Sequence, residues 1–269
     1  MTISMKSLLV RVFAFFASIS LLLPAVPVRA ASTISLSQLQ SGMLIRGTSR
    51  SAVYYYGADG FRYVFVNDKT YFTWYNNFND VNWLTDADLG TIQIGGNVTY
   101  RPGSRMIKID TDPKVYAIGR GGSLHWVSTE AVAIALFGST WNKQIDDVPD
   151  GFFSNYTRSS DVTDSSQYNT ASVKASVPDI NTDKDLKAPV VMNISAGGYT
   201  PILATIQAGR TVRFTNLDTV NHTVTSDDLS WGSGTMSAGI VFSRTFKTPG
   251  TYTFFDSYHP QFTGTIIVQ

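Results

Sequence analysis

The sequence predicts a mainly β protein that ends in a β-sandwich. Three observations carry the prediction. Thr, Tyr, Val, Gly and Ser are abundant, whereas Glu occurs once, at Glu130; β-branched and aromatic side chains suit a pleated, half-buried surface. Short runs at 190–194, 201–206, 211–216, 222–225, 241–246, 251–255 and 265–268 read as strands, most alternating apolar with polar residues, as in Val212-x-Phe214 and Tyr252-x-Phe254. Turn pairs punctuate these runs, among them Ala208-Gly209, Ser233-Gly234 and Pro249-Gly250. Short strands at such spacing indicate a sandwich.

The chain has 269 residues, a length that favours two domains. With 43% hydrophobic and 15% charged residues it can bury sizeable cores. A formal net charge of +1 gives no argument for nucleic acid as a partner. Cysteine is absent, which excludes disulfides, zinc–thiolate sites and cysteine nucleophiles.

Residues 1–30 have the form of an export signal. Lys6 and Arg11 supply a positive start, 12–23 is an apolar run, Pro24 and Pro27 break any helix, and Val28-Arg29-Ala30 offers small residues for cleavage. The run is short for a bilayer span, so cleavage is expected rather than anchoring. The expected location is secreted or extracytoplasmic, with membrane contact only if the segment stays uncleaved.

An internal repeat with an offset of 62 fills 42–156, as units 42–103 and 104–156. Val53-Tyr54-x-x-Gly57-x-x-Gly60 returns as Val115-Tyr116-x-x-Gly119-x-x-Gly122. Leu44-Ile45-Arg46 returns as Met106-Ile107-Lys108, and Tyr63-Val64-Phe65 as His125-Trp126-Val127. Each unit is expected to be a β-hairpin followed by a short helix. Asn67 is the expected N-cap in the first unit and Ser128 in the second, with Gly138 as the stop. Asp86 and Asp150 recur beside turn residues, where capping accounts for them. The units resemble a tandem repeat of bacterial secreted and surface proteins. Tyr54, Tyr55, Tyr56, Tyr63, Tyr71, Trp74, Tyr75 and Trp83 make the first unit dense in aromatics. They are expected to pack a small core; a glycan-binding surface is the alternative. His125 is read as a packed histidine.

Residues 157–187 turn to Ser, Thr, Asp, Asn and Lys, with few apolar residues. This composition predicts a mobile polar linker between the repeats and a domain at 188–269.

Within that last domain, Gly209-x-Thr211-Val212-x-Phe214-x-Asn216 leads to His222-Thr223-Val224. Later come Phe246-x-x-Pro249-Gly250-Thr251-Tyr252, then His259-Pro260 and Gly264-Thr265-Ile266. In order and spacing these parts resemble the cupredoxin family of plastocyanin-like blue-copper proteins. The resemblance implies a Greek-key sandwich with copper held at one end by a loop His, a Cys, a second His and a Met. His222 and His259 stand at the two His positions. Asp256 stands at the Cys position and Phe262 at the Met position.

Those two replacements change the chemistry. Type 1 copper requires a thiolate, which gives the short soft bond and the path for electrons. Asp256 offers a hard oxygen instead, suited to Cu(II) or Zn(II) and poorly suited to Cu(I). Phe262 offers no donor and makes the site drier. The metal ligands expected are therefore His222, His259 and Asp256, with copper as a type 2-like cofactor. Retained metal binding competes with a metal-free structural or adhesive sandwich. No nucleophile elbow, phosphate loop or acid/base pair is readable in the repeats, and the protein is not expected to be an enzyme, with metal-dependent redox activity at the two-histidine, one-carboxylate set as the alternative. The partners expected are a redox partner or a cell-surface component.

Overall fold

Val53 and Tyr55 are buried while Tyr54 and Tyr56 are half-exposed, the period-two alternation of a strand with one face on a core. The computed structural model describes residues 32–109 and 111–269. The segment read as an export signal, 1–30, lies outside the described residues.

The first module runs β1 (Leu44–Gly47), β2 (Val53–Tyr56), β3 (Arg62–Phe65), α1 (Asp68–Trp74), β4 (Val81–Leu84), α2 (Asp86–Thr91) and β5 (Ile94–Val98). Its sheet has the order β4-β1-β2-β3-β5. Strands β1, β2 and β3 pair antiparallel, and β4 and β5 add parallel to β1 and β3. The turn between β2 and β3 closes through Gly57 N–H to the Phe61 carbonyl at 2.8 Å, with Gly60 at φ +84° where a Cβ would be strained. The second module runs β6 (Met106–Ile109), β7 (Asp112–Gly119), β8 (Ser123–Trp126), α3 (Glu130–Phe137), β9 (Ile145–Asp147), α4 (Asp150–Phe153) and β10 (Thr157–Arg158). Its order, β10-β8-β7-β6-β9, is that of the first sheet read from the other edge. The outer strands are again parallel to their neighbours.

Each module is thus larger than a hairpin and a helix. The added outer strands are short and carry little alternation, as in the half-exposed run of β4, so no period announced them. Asn67 caps α1, accepting from Thr70 N–H at 2.7 Å. The cap of α3 is Thr129 rather than Ser128. Asp86 and Asp150 occupy first helical positions, not caps. Asp86 accepts from Thr48 Oγ1 and Ser49 N–H, and Asp150 from Thr111 Oγ1.

Tyr55, Tyr63 and Tyr71 are buried in the first module's core with Phe65 and Val98. His125 is half-buried, with Nδ1 2.8 Å from the Ser160 carbonyl.

The expectation of a mobile polar linker at 157–187 is corrected. The segment carries β10, α5 (Thr170–Ser176) and α6 (Ile180–Lys184). Val162 and Tyr168 enter the second module's core, and Ile180 enters the first module's. The Tyr168 hydroxyl donates to the Ile118 carbonyl at 2.7 Å. The polar residues that read as linker serve as caps: Asn169 accepts from Ser172 N–H and Asp179 from Thr182 N–H. A few well-placed apolar anchors suffice where helix termini are satisfied locally.

Eight strands build the sandwich: β11 (Val190–Ser195), β12 (Gly198–Thr200), β13 (Leu203–Ile206), β14 (Arg210–Asn216), β15 (Thr225–Ser226), β16 (Val241–Phe246), β17 (Gly250–Phe255) and β18 (Thr263–Val268). One sheet has the order β12-β11-β14-β16 and the other β13-β18-β17-β15. Met192, Ile194, Val212, Phe214 and Phe246 meet Ile206, Phe254, Ile266 and Val268 in the core between them. Phe214 and Phe254 pack edge to face, 5.3 Å between centroids. Each such buried side chain contributes about 1.5–3 kcal/mol. The run 222–225 is not the continuous strand expected; His222 forms one bridge with Met236, and the strand begins at Thr225.

The sandwich is tied to the first module. Gln93 Oε1 accepts from Ser243 N–H at 2.6 Å and its Nε2 donates to the Ser243 carbonyl at 3.2 Å. One amide side chain thereby satisfies both backbone groups of the buried Ser243 on β16, so the two parts do not hang on a free tether.

Candidate metal centre

Two loops at one end of the sandwich carry the expected ligands. The first follows β14. The Asn216 amide, at the end of that strand, donates to the carbonyls of Val220 and Met236 at 2.8 and 2.7 Å. Its Oδ1 accepts from Asp218 N–H at 2.8 Å. The backbone of His222 then pairs in both directions with Met236, at 3.1 and 2.8 Å. His222 is therefore delivered by a loop held at both ends. The second loop joins β17 to β18. Asp256 N–H donates to the Phe262 carbonyl, Phe262 N–H to the His259 carbonyl, and His259 N–H to the Asp256 carbonyl. These nested turns set Asp256 and His259 side by side.

The three side chains converge. Asp256 Oδ2 lies 2.6 Å from His222 Nδ1 and 2.9 Å from His259 Nδ1. The three donor atoms lie within 4.8 Å of one another. The other carboxylate oxygen, Oδ1, accepts from the backbone N–H groups of Thr223 and Tyr258 at 2.9 and 3.0 Å. One oxygen is fixed by backbone and the second faces the imidazoles. Asp256 is fully buried and His222 nearly so, whereas the His259 side chain retains 34% exposure. The site thus has a dry floor and one solvent-facing histidine.

Burial raises the Asp256 pKa, but hydrogen bonds from His222, His259 and the Tyr258 and Thr223 N–H groups outweigh it and leave the carboxyl below its ordinary range. His222 Nε2 lies 3.1 Å from Asp218 Oδ2. The Asp218 carboxyl is also lowered, first by the hydrogen bond from His222 and then by Thr219 N–H. Asp218 was not singled out from the sequence. Its only signal is an acid four residues before the loop histidine, and that spacing has no meaning until the loop's shape is known. Asn216 entered only as a strand end.

Phe262 packs against the histidines, 5.4 Å from the His259 ring centroid and 6.3 Å from that of His222. It offers no donor. Met236, next to His222 through the backbone, points into the sandwich core. Trp231 is also in that core, under the Arg244 guanidinium at 4.7 Å.

The residues fail the chemistry of a type 1 copper site, because no cysteine is present. They fit a harder divalent ion. Two imidazole nitrogens and a carboxylate oxygen would supply three ligands to such an ion. Four-coordinate ions with bonds of 2.0–2.2 Å hold donors about 3.3–3.6 Å apart, so Asp256 Oδ2 would have to withdraw from both Nδ1 atoms, and the donors now up to 4.8 Å apart would have to draw together, to admit one. A proton on either Nδ1 that faces Asp256 would have to leave before that nitrogen could hold a metal. Asp218 Oδ2, 3.1 Å from His222 Nε2, would be the outer carboxylate that orients the ring of a metal-bound His222.

Residues 170–268 match the family model described as a cupredoxin-like domain. A purple cupredoxin from Nitrosopumilus maritimus is 29% identical over 30% of this chain and 99% of its own, with a TM-score of 0.28. A variant of amicyanin in its Cu(I) state is 24% identical over 30% of this chain and 82% of its own, with a TM-score of 0.29. A copper-containing nitrite reductase from Thermus scotoductus is 25% identical over 31% of this chain and 23% of its own, with a TM-score of 0.30. No curated protein matches the chain. Among the described residues no helix is long and apolar enough to cross a membrane. The two-sheet core and the paired histidine loops lie within the residues that match the cupredoxin-like domain model.

Proposed function

We propose that the protein is an exported metal-binding protein whose sandwich holds one divalent ion, Cu(II) foremost, through His222 Nδ1, His259 Nδ1 and Asp256 Oδ2. The observation that carries this reading is the convergence of all three side chains on one point, two of them among only three histidines in the chain. The centre is colourless and type 2-like, because a carboxylate stands where blue copper needs a thiolate. Bound copper supplies a Lewis-acidic, redox-capable centre. The chain's own residues bind and orient it: backbone N–H groups fix Asp256, Asp218 orients His222, and Phe262 excludes water from one side. The reading is binding and handling of metal rather than turnover. Calorimetric titration of the protein with Cu(II) tests it. One site lost in both His222→Ala and His259→Ala supports it; binding unchanged in both variants overturns it, and the sandwich is then a metal-free scaffold.

A second reading concerns the modules, taken as one duplicated unit. Each carries a cleft, and the linings correspond position by position: Val53 with Val115, Val64 with Trp126, Phe65 with Val127, Asp68 with Glu130, Tyr71 with Ala133, and Phe78 with Trp141. Each cleft therefore combines an aromatic ring with a carboxylate at a helix start, a composition that suits a neutral polysaccharide. Co-sedimentation with insoluble chitin and cellulose tests this. Retention that is lost in the Phe78→Ala, Trp141→Ala double variant supports it, and no retention on either polymer overturns it.

A further inference from the structure

A cavity of about 820 Å³ opens where the first module, the second module, α6 and the sandwich meet. Its volume is in the range of small-molecule sites. It is lined by five cations, Arg120, Lys184, Lys187, Arg210 and Lys247, and by three acids, Asp59, Asp183 and Asp185. The formal balance, five minus three, is +2.

The acids are already engaged within the protein. Asp59 accepts from the Tyr63 hydroxyl and from Phe61 N–H. Asp183 accepts from Gly121 N–H at 2.8 Å and from Thr99 Oγ1 at 3.3 Å. Asp185 pairs with both Arg120 and Lys187, at 3.4 and 3.3 Å.

Three cations remain. Among the described residues, Lys184, Arg210 and Lys247 form no ion pair. The Lys184 ammonium lies 5.5 Å from the Tyr63 ring centroid, and burial pushes its pKa down against the raising fields of Asp183 and Asp59. Arg210 Nη2 donates to the Ala188 carbonyl at 2.7 Å, but its Nε is buried without a partner. A guanidinium and two ammonium groups without an anionic partner favour an anion as the ligand of this cavity. The Thr211 and Thr245 hydroxyls, 2.8 Å apart, add hydrogen-bonding groups to the lining.

This cavity is remote from the metal centre. Arg210 begins β14 and Asn216, which holds the His222 loop, ends it; six steps of about 3.3 Å separate them by roughly 20 Å. We propose that the cavity binds a small molecule carrying a phosphate monoester, a dianion held by Lys184, Arg210 and Lys247.

Calorimetric titration of the protein with glycerol 3-phosphate, inorganic phosphate and galacturonate at about 0.1 M salt tests this. The expected result is saturable one-to-one binding of glycerol 3-phosphate, weakened about tenfold or more by Arg210→Gln and by Lys247→Ala, as for loss of a charge-assisted hydrogen bond. Inorganic phosphate binding as well would assign recognition to the phosphoryl group alone, and binding of the ester only would add the organic part to it. Lys247 is exposed, so its replacement leaves the fold intact and retained affinity in that variant counts directly. The proposal is overturned by no saturable binding of either phosphate, by affinities unchanged in both variants, or by galacturonate, a monoanion, binding as tightly as the ester.

Discussion

His222 Nδ1 stands 2.6 Å from Asp256 Oδ2, with both side chains sealed from solvent. The carboxylate faces both imidazoles and accepts from the backbone of both histidine loops, so it organises the two loops at once. Most expectations about this molecule turn on that pair.

Removing the carboxylate leaves two buried or half-buried imidazoles and two backbone N–H groups without their acceptor. Asp256→Ala is expected to cost about 3–5 kcal/mol, the range for breaking a buried pair by deleting one partner. Asp256→Asn, which keeps an acceptor oxygen, is expected to cost less. Urea unfolding at neutral pH measures both, and equal stability of wild type and Asp256→Ala would contradict the role assigned to this residue.

The Asp256 carboxyl has a folded-state pKa below its ordinary value. A depressed acid contributes stability that is present above the unfolded pKa, about 3.9, and lost as pH falls through the lower folded value. The stability gap between wild type and Asp256→Asn should therefore shrink as pH falls below about 4. Asp59 and Asp183 are raised instead, first by burial, and act with the opposite sign, so the difference between the two proteins is the quantity to follow. A gap that widens on acidification would contradict the assignment.

A soft ligand restored at this position should restore blue-copper chemistry. Asp256→Cys combined with Phe262→Met is expected to turn the Cu(II) protein coloured, through the copper–thiolate bond, while wild type stays colourless. Visible absorption of the two copper-loaded proteins measures this, and a colourless double variant with copper bound would argue against the correspondence of these positions.

The segment 157–187 makes a separate test. Ile180 is fully buried in the first module's core. Ile180→Ala is expected to cost about 2–5 kcal/mol, measured by urea unfolding. A loss below 1 kcal/mol would show that this segment is not part of the fold.

The sandwich was legible because its strands are buried on one face, so Val212, Phe214, Phe254 and Ile266 alternate with outward residues. His222, His259 and Asp256 were legible through the order and spacing of the loops that carry them. What was not legible depends on contacts distant in sequence. Asp218 and Asn216 act only once the loop after β14 has closed on Met236. Gln93 binds Ser243 across 150 residues. Val162, Tyr168, Val177 and Ile180 are buried at irregular spacing and so carry no periodic signal, and the caps around them have the composition of a linker.

The most direct measurement is electron paramagnetic resonance of the protein loaded with one equivalent of Cu(II), alongside His222→Ala and His259→Ala. The account predicts a type 2-like spectrum with hyperfine coupling to two nitrogens, reduced to one in each variant or lost with the copper. A spectrum of free or adventitious copper, identical in all three proteins, would contradict it.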